Sequence, residues 1–215
     1  QSALAHKARE SYPLGRCDLE AFLRRKSLSK SRVMKLDGKL LIASPGLLDP
    51  YFRKSVILVV DHDREQGTFG LVLNRPGPVS LGLFCAGMGF DVVGDSEPPV
   101  YVGGPVQPGV GWLLHESMGD IKESREIING VYLSNSRETL ERIAGDVAIQ
   151  HRVFVGYAGW APHQLAEEMR SGSWFTVDAD TNLVFEKTGD AAWDAALHGM
   201  GIDPRFLVPG STAIS

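Results

Sequence analysis

Short apolar runs broken by Gly, Pro and Asp dominate this chain, and few of them carry the 3.6-residue period of a surface helix. Residues 39–44 and 55–61 are near-continuous Leu, Ile and Val, the pattern of strands covered on both faces. Between them Pro45-Gly46-Leu47-Leu48-Asp49-Pro50 predicts a tight connection, because its two prolines remove backbone donors. Residues 61–67 predict a polar loop ending at Gly67. Residues 68–74 then return as a third strand and complete a hairpin, which Pro76-Gly77-Pro78 stops. Residues 100–102, 111–115 and 151–157 predict further strands. A last pair over 174–177 and 183–185 brackets a turn of Asp178, Asp180 and Asn182.

Helices are fewer. Ser80 is placed to cap one through residue 88, with Leu81, Phe84 and Cys85 on one face. Ser136 caps another that turns Leu140, Ile143 and Ala144 inward. Pro162 suits the first turn of a helix running to residue 169, with Gly172 as its stop. Trp193, Ala196, Leu197 and Met200 fall at i, i+3, i+4 and i+7 and predict the last helix. Strands that come as hairpins, with little regular strand–helix alternation, indicate the α+β class, not a doubly wound parallel sheet.

At 215 residues, 43% hydrophobic and a net charge of -4, the chain suits one domain with a real core and excludes general disorder. Its apolar runs are about five residues, against the ~20 that a helical membrane span requires. No secretory pattern is visible, and Cys17 and Cys85 do not make a disulfide framework, so the expectation is a cytoplasmic protein with reduced thiols. Cys85 is expected to act as a small buried apolar residue, with no redox role assigned.

Charge then divides the chain. Residues 1–35 carry a net +6 and residues 36–215 a net -10. The organisation expected is a basic arm over 1–35, with a short helix around Leu19, Phe22 and Leu23, and a single acidic domain over 36–215. The arm's cations are interleaved with apolar and acidic residues, which favours an extension folded back on the acidic body over a nucleic-acid or acidic-lipid contact.

Several chemistries are excluded by spacing. His115-Glu116-Ser117-Met118-Gly119 has Gly where a zinc-protease helix needs its second His. The Asp178-x-Asp180-x-Asn182 run has Leu183 in place of the turn glycine of a calcium loop. There is no Cys-x-x-Cys pair, Walker lysine loop, Gly-x-Ser-x-Gly elbow or dinucleotide glycine pattern, so no cofactor is expected.

A set of short motifs follows in a distinctive order: Gly38-Lys-Leu-Leu-Ile-Ala-Ser-Pro45, Asp49-Pro-Tyr-Phe52, Ser55-Val-Ile-Leu58, His62 and Gly70-Leu-Val-Leu-Asn-Arg-Pro76. Val102-Gly-Gly-Pro-Val106, Leu114-His115 and Gly156-Tyr-Ala-Gly-Trp-Ala-Pro162 with Gln164-Leu165 continue it. In these the chain resembles the AlgH/YqgE family of bacterial proteins, over about residues 36–210. The resemblance implies one α+β domain, a bent and partly barrel-like sheet of mixed or antiparallel strands wrapped by helices. It also implies a cytosolic protein of a family often labelled as transcriptional regulators. The basic arm exceeds the family pattern, and the loop after His62 is one residue longer than that pattern.

The shared motifs concentrate at strand ends and turns, where a scaffold presents polar groups. Asn74 and Arg75 offer an amide and a guanidinium fork suited to carboxylate or phosphate. The Gly156–Trp160 segment, with Gly159, is expected to present free N–H groups at a helix N-terminus, Gln164 following. Gly103 and Gly104 would let a ligand approach backbone, and His62 and His115 offer titratable nitrogens. The expectation is one concave pocket for a small anionic metabolite, in a regulatory or ligand-binding protein without demonstrated catalysis. The alternatives are regulation through DNA or a protein partner, and a hydrolase or transferase with His62 or His115 as base. For DNA, the -10 of the body opposes phosphate. No metal site is assigned, since His62 with His115 is a weak pair.

Overall fold

The computed structural model describes residues 35–94, 97–116 and 123–203; the expected basic arm up to residue 34, its helix and Cys17 lie outside them. Three buried strands start the fold: β1 (Lys39–Ala43), β2 (Val56–Asp63) and β3 (Gly67–Val72). Val56 through Val60 and every residue of β3 are buried, as expected of apolar runs covered on both faces. The chain continues through β4 (Pro76–Ser80), α1 (Leu81–Gly87), β5 (Pro99–Val102), β6 (Val106–Glu116), β7 (Arg125–Ile128) and β8 (Val131–Ser134). It ends with α2 (Arg137–Ala144), β9 (His151–Trp160), α3 (Gln164–Arg170), β10 (Trp174–Asp178), α4 (Thr181–Phe185) and α5 (Gly189–Gly199).

One sheet runs β10-β1-β2-β3-β9-β6-β8-β7, with β4 on β5 and β5 parallel to β9. The α+β expectation and the bent, partly barrel-like sheet are both found. Strand β9 is the hinge of the architecture. Its first half pairs with β6 and β5, its second half with β3. The sheet curls far enough that Arg125 on the edge strand β7 reaches β2, its Nη2 donating to the Val60 carbonyl at 2.7 Å and facing Asp61 Oδ1 at 3.4 Å.

The bend depends on backbone meeting backbone. Gly103 donates its N–H to the Val155 carbonyl, and its own carbonyl accepts from Val72. A Cβ on Gly104 would lie 2.1 Å from the Tyr157 carbonyl carbon, and one on Gly156 would lie 2.5 Å from the Gly104 oxygen. Both glycines have positive φ, +153° and +69°, so only residues without a side chain fit on both counts.

Two clusters fill the two sides of the sheet. The larger gathers β1, β2 and β3 with Trp112, Phe154, Tyr157, Trp160, Trp174 and, from α5, Trp193 and Leu197. The smaller joins Leu81 and Cys85 of α1 to Leu140 and Ile143 of α2 over Leu113 and Val153. Ser80 and Ser136 cap their helices as expected, accepting from Leu83 N and Thr139 N.

Four expectations are corrected. Pro76-Gly77-Pro78 does not stop the sheet but lies in β4, whose ladder holds only at Pro76↔Tyr101 and Ser80↔Pro99, an irregular strand that tolerates missing donors. Residues 183–185 are helical because Asp180 Oδ1 accepts from Leu183 N at 2.8 Å. His62 is the penultimate residue of β2 and does not lie in a loop. The Gly156–Trp160 segment is strand, not a turn at a helix N-terminus. Strands β7 and β8 were not expected at all.

Ala replacement of Gly104 or Gly156 is expected to cost about 3–5 kcal/mol, read as a large fall in the thermal or urea midpoint, whereas Gly87→Ala, with open space at its Cβ, leaves it nearly unchanged.

Candidate functional site

The side chain of Asn74 is spent inside the fold. Its Oδ1 accepts from Val56 N at 2.9 Å, and its Nδ2 donates to the carbonyls of Lys54 and Gly189, each at 2.9 Å. The Asn74 carbonyl also accepts from Gly189 N. With 4% of its surface exposed, this residue ties the start of β2 to the start of α5 and has no amide left for a ligand. Arg75, next along, donates from Nη1 to the Pro50 carbonyl at 3.4 Å and from Nη2 to the Arg53 carbonyl at 2.9 Å. It stays half-buried. Burial first, then the Arg53 cation, lowers its pKa, with Asp49 and Asp190 opposing.

The connection these two residues hold is tethered at further points. Ser55 Oγ donates to Phe52 O, and Asp49 Oδ1 accepts from Tyr51 N. Phe52 lies 6.0 Å from the Trp160 ring, stacked, and 5.9 Å from Trp174, edge-on. Trp160 is 1% exposed; its indole donates to Glu168 Oε2 at 2.9 Å, and Trp174 donates to the same oxygen at 2.8 Å. Gln164 completes the cluster, Nε2 to Glu168 Oε1 at 2.9 Å and Oε1 from Ala161 N at 3.0 Å. Trp160 and Trp174 therefore pin α3 to β9 and β10 through Glu168, and Gln164 orients that carboxylate. Glu168, which sequence reading missed, is the acceptor that unites them. The Gln164–Glu168 spacing of four on a helix was the available signal.

Gly103, Gly104 and Gly156 come together, but against one another. A Cβ on Gly103 would stand 2.4 Å from the Gly156 oxygen, so the approach that they permit is to another strand. Gly159 pairs with Phe69 and lies under the Tyr157 ring.

The histidines are elsewhere. His62 lies six residues along β2 from Val56, the residue whose N–H Asn74 binds, a rise of about 20 Å at ~3.3 Å per residue. His62 Nδ1 is 2.7 Å from Thr68 Oγ1, and its N–H donates to Asp37 Oδ1. Burial lowers its pKa against the pull of Asp37, Asp63 and Asp61. His115, 1% exposed, places Nδ1 2.7 Å from the Glu116 carbonyl and Nε2 2.8 Å from Ser124 Oγ. Burial lowers its pKa too, against the Glu116 carbonyl bond, and the neighbouring His151 adds to the lowering. The ten expected site residues thus fall into separate groups and do not ring one hollow. Of the anion-binding set, Arg75 carries the one cation, and it is half-buried.

Among the described residues no three His, Cys, Asp or Glu side chains converge to hold a metal, and no helix is long and apolar enough to cross a membrane. Cys85 is buried and unpaired, its thiol pKa pushed up by that burial.

A family model described as AlgH-like matches residues 40–205. The chain belongs to the AlgH-like family. A UPF0301 protein of Myxococcus xanthus is 38% identical over 172 residues, covering 80% of this chain and 94% of that protein. One of Paracoccus denitrificans is 40% identical over 180 residues, covering 81% and 94%. The solution structure of the AlgH protein from Pseudomonas aeruginosa superposes with a TM-score of 0.66 at 30% identity, covering 87% of this chain and all of that one. The AlgH-like fold thus accounts for the half-barrel and its wrapping helices.

Asn74→Ala is expected to cost about 3 kcal/mol in urea unfolding, because it strands a buried N–H and two carbonyls. The pH dependence follows from His62 and His115. A histidine whose folded pKa is lowered leaves stability intact above about 6.5 and removes it as pH falls through the folded value. The urea midpoint is therefore expected to be lower at pH 5 than at pH 7.5.

Proposed function

We propose that this AlgH-like protein acts by binding, without catalysis at this site, and that the braced connection before β2 together with Arg75 receives an anionic group of a small metabolite or of a regulatory protein partner. The carrying observation is a loop that is fixed beneath and apolar above. Leu48 and Tyr51 are 79% and 41% exposed, while Asn74, Arg75, Ser55 and the stacked Phe52 hold the backbone that bears them. An exposed aromatic beside guanidinium groups, already ordered, loses little entropy on contact.

Charge supports the same reading. Arg53 and Arg75 stand close enough for one cation to disfavour the other, and a carboxylate or phosphate relieves that repulsion. This differs from the pocket expected from sequence, in which Asn74, Trp160 and the glycines also touched the ligand. Regulation through DNA draws less support, since the net charge of residues 36–215 is -10.

Amide chemical shifts on titration with inorganic phosphate, citrate and a nucleoside triphosphate test this. Saturable shifts confined to residues 48–54 and 75 are expected. Arg53→Ser removes a side chain whose backbone alone braces the loop, so it should weaken the response about tenfold without moving the thermal midpoint. Unlocalised shifts, or an unchanged affinity in Arg53→Ser, would sink the proposal.

A further inference from the structure

A second place on the molecule carries chemistry of another kind. Directly opposed residues on antiparallel strands share a face. The pairings Glu126↔Tyr132, Tyr132↔His115 and His115↔His151 therefore set these four side chains in one row across β7, β8, β6 and β9. The Tyr132 ring is stacked on His115 at 5.8 Å. Ser124, immediately before β7, brings its hydroxyl to this row.

The proton positions follow from the partners. Nδ1 of His115 faces the Glu116 carbonyl at 2.7 Å, and a carbonyl only accepts, so Nδ1 carries the hydrogen. Nε2 of the neutral ring is then a lone pair, and the contact at 2.8 Å is Ser124 O–H donating to it. Burial favours that neutral form by lowering the His115 pKa.

This is the arrangement of an activated nucleophile: hydroxyl, base, and a third group fixing the tautomer of the base. Its backbone is fixed as well. Ser134, fully buried, donates its Oγ to the Glu123 carbonyl at 2.9 Å, one residue before Ser124. The comparable pair at the other end of the sheet lacks access, because Thr68 beside His62 is 3% exposed, whereas Ser124 is half-buried. Among the described residues Nε2 of His151 is buried without a partner, while its Nδ1 meets the Ile149 carbonyl at 2.9 Å. A second imidazole therefore belongs to the same row.

We infer that Ser124 is a nucleophile, with His115 as its general base, that accepts an acyl group from an uncharged or cationic activated ester. In the step, Ser124 Oγ bonds to the ester carbonyl carbon while its proton passes to His115 Nε2. The ester's alkoxide leaves and takes that proton. Water, deprotonated by the same nitrogen, then releases the acid and restores Ser124. Glu116, Glu123 and Glu126, near in chain or register, disfavour an anionic ester. Ser134 is a positioning residue. The site is separate from the braced loop, and the two stand or fall independently.

An uncharged phosphonofluoridate tests it, because Ser124 Oγ would bond to phosphorus and expel fluoride in a permanent adduct. The full chain is expected to gain one adduct, mapped to Ser124 by peptide mass, about 100-fold faster than N-acetylserinamide under the same conditions. Ser124→Ala should keep its thermal midpoint within a few degrees and take no adduct. His115→Gln should keep the adduct site but lose the acceleration. No adduct, an adduct elsewhere, or a rate no greater than that of N-acetylserinamide overturns the inference, and labelling of the unaltered chain alone decides between these outcomes if a variant fails to fold. A folded His115→Gln labelled as fast as the parent also overturns it.

Discussion

The architecture hangs on a contact with no side chains in it. Where residues 103–104 cross 156–157, two backbones approach more closely than any Cβ allows. At that point β9 leaves β6 and β5 and joins β3. The positive φ of Gly156 turns the strand, and the bare Gly104 lets the neighbouring segment follow it. Without this crossing the β1–β3 hairpins and the β5–β8 strands would be two sheets, each with an apolar face uncovered. The half-barrel is thus a steric consequence of three glycines, and the aromatic core of Phe69, Trp112 and Tyr157 packs where the curl brings its rings together.

A second constraint is polar. Glu168 accepts two indole N–H groups and one amide, and Phe52 stacks on the resulting wall. Asn74 and Arg75 complete the restraint from below by binding carbonyls of the same connection. Side chains that resemble ligand-binding groups when read in sequence are here the brackets of a loop, and what the loop displays, Leu48 and Tyr51, is ordinary in character.

Elements defined by local chemistry were legible. Ser80 and Ser136 cap helices through their own hydroxyls, a signal contained within three residues. The runs at β1 and β2 needed only their near-continuous apolarity, and β3 followed as the return of a hairpin. Elements defined by distant partners were not. Arg125–Ile128 and Val131–Ser134 are four residues each, and a bulge interrupts their pairing, so no period could show. Gly156 and Gly159 look like turn residues because sequence does not reveal that another strand lies against them. The site behaved likewise: Asn74 was correctly singled out as a polar group at a strand end, but one of its partners is 115 residues away. The Ser124–His115 pair was half visible, with His115 noted and Ser124 passed over as one serine among many.

The role of β9 as shared strand also governs how the polypeptide must mature. The strand that covers the open edge of β3 is translated nearly 90 residues after it. At about 5–20 residues per second, ribosomal synthesis leaves that edge bare for several seconds or more. During that interval an apolar ladder of unpaired amides trails from the ribosome, a template for pairing with a neighbouring nascent chain. Closure of that edge is thus a late, long-range event, and pairings of such sequence separation are intrinsically slow to form.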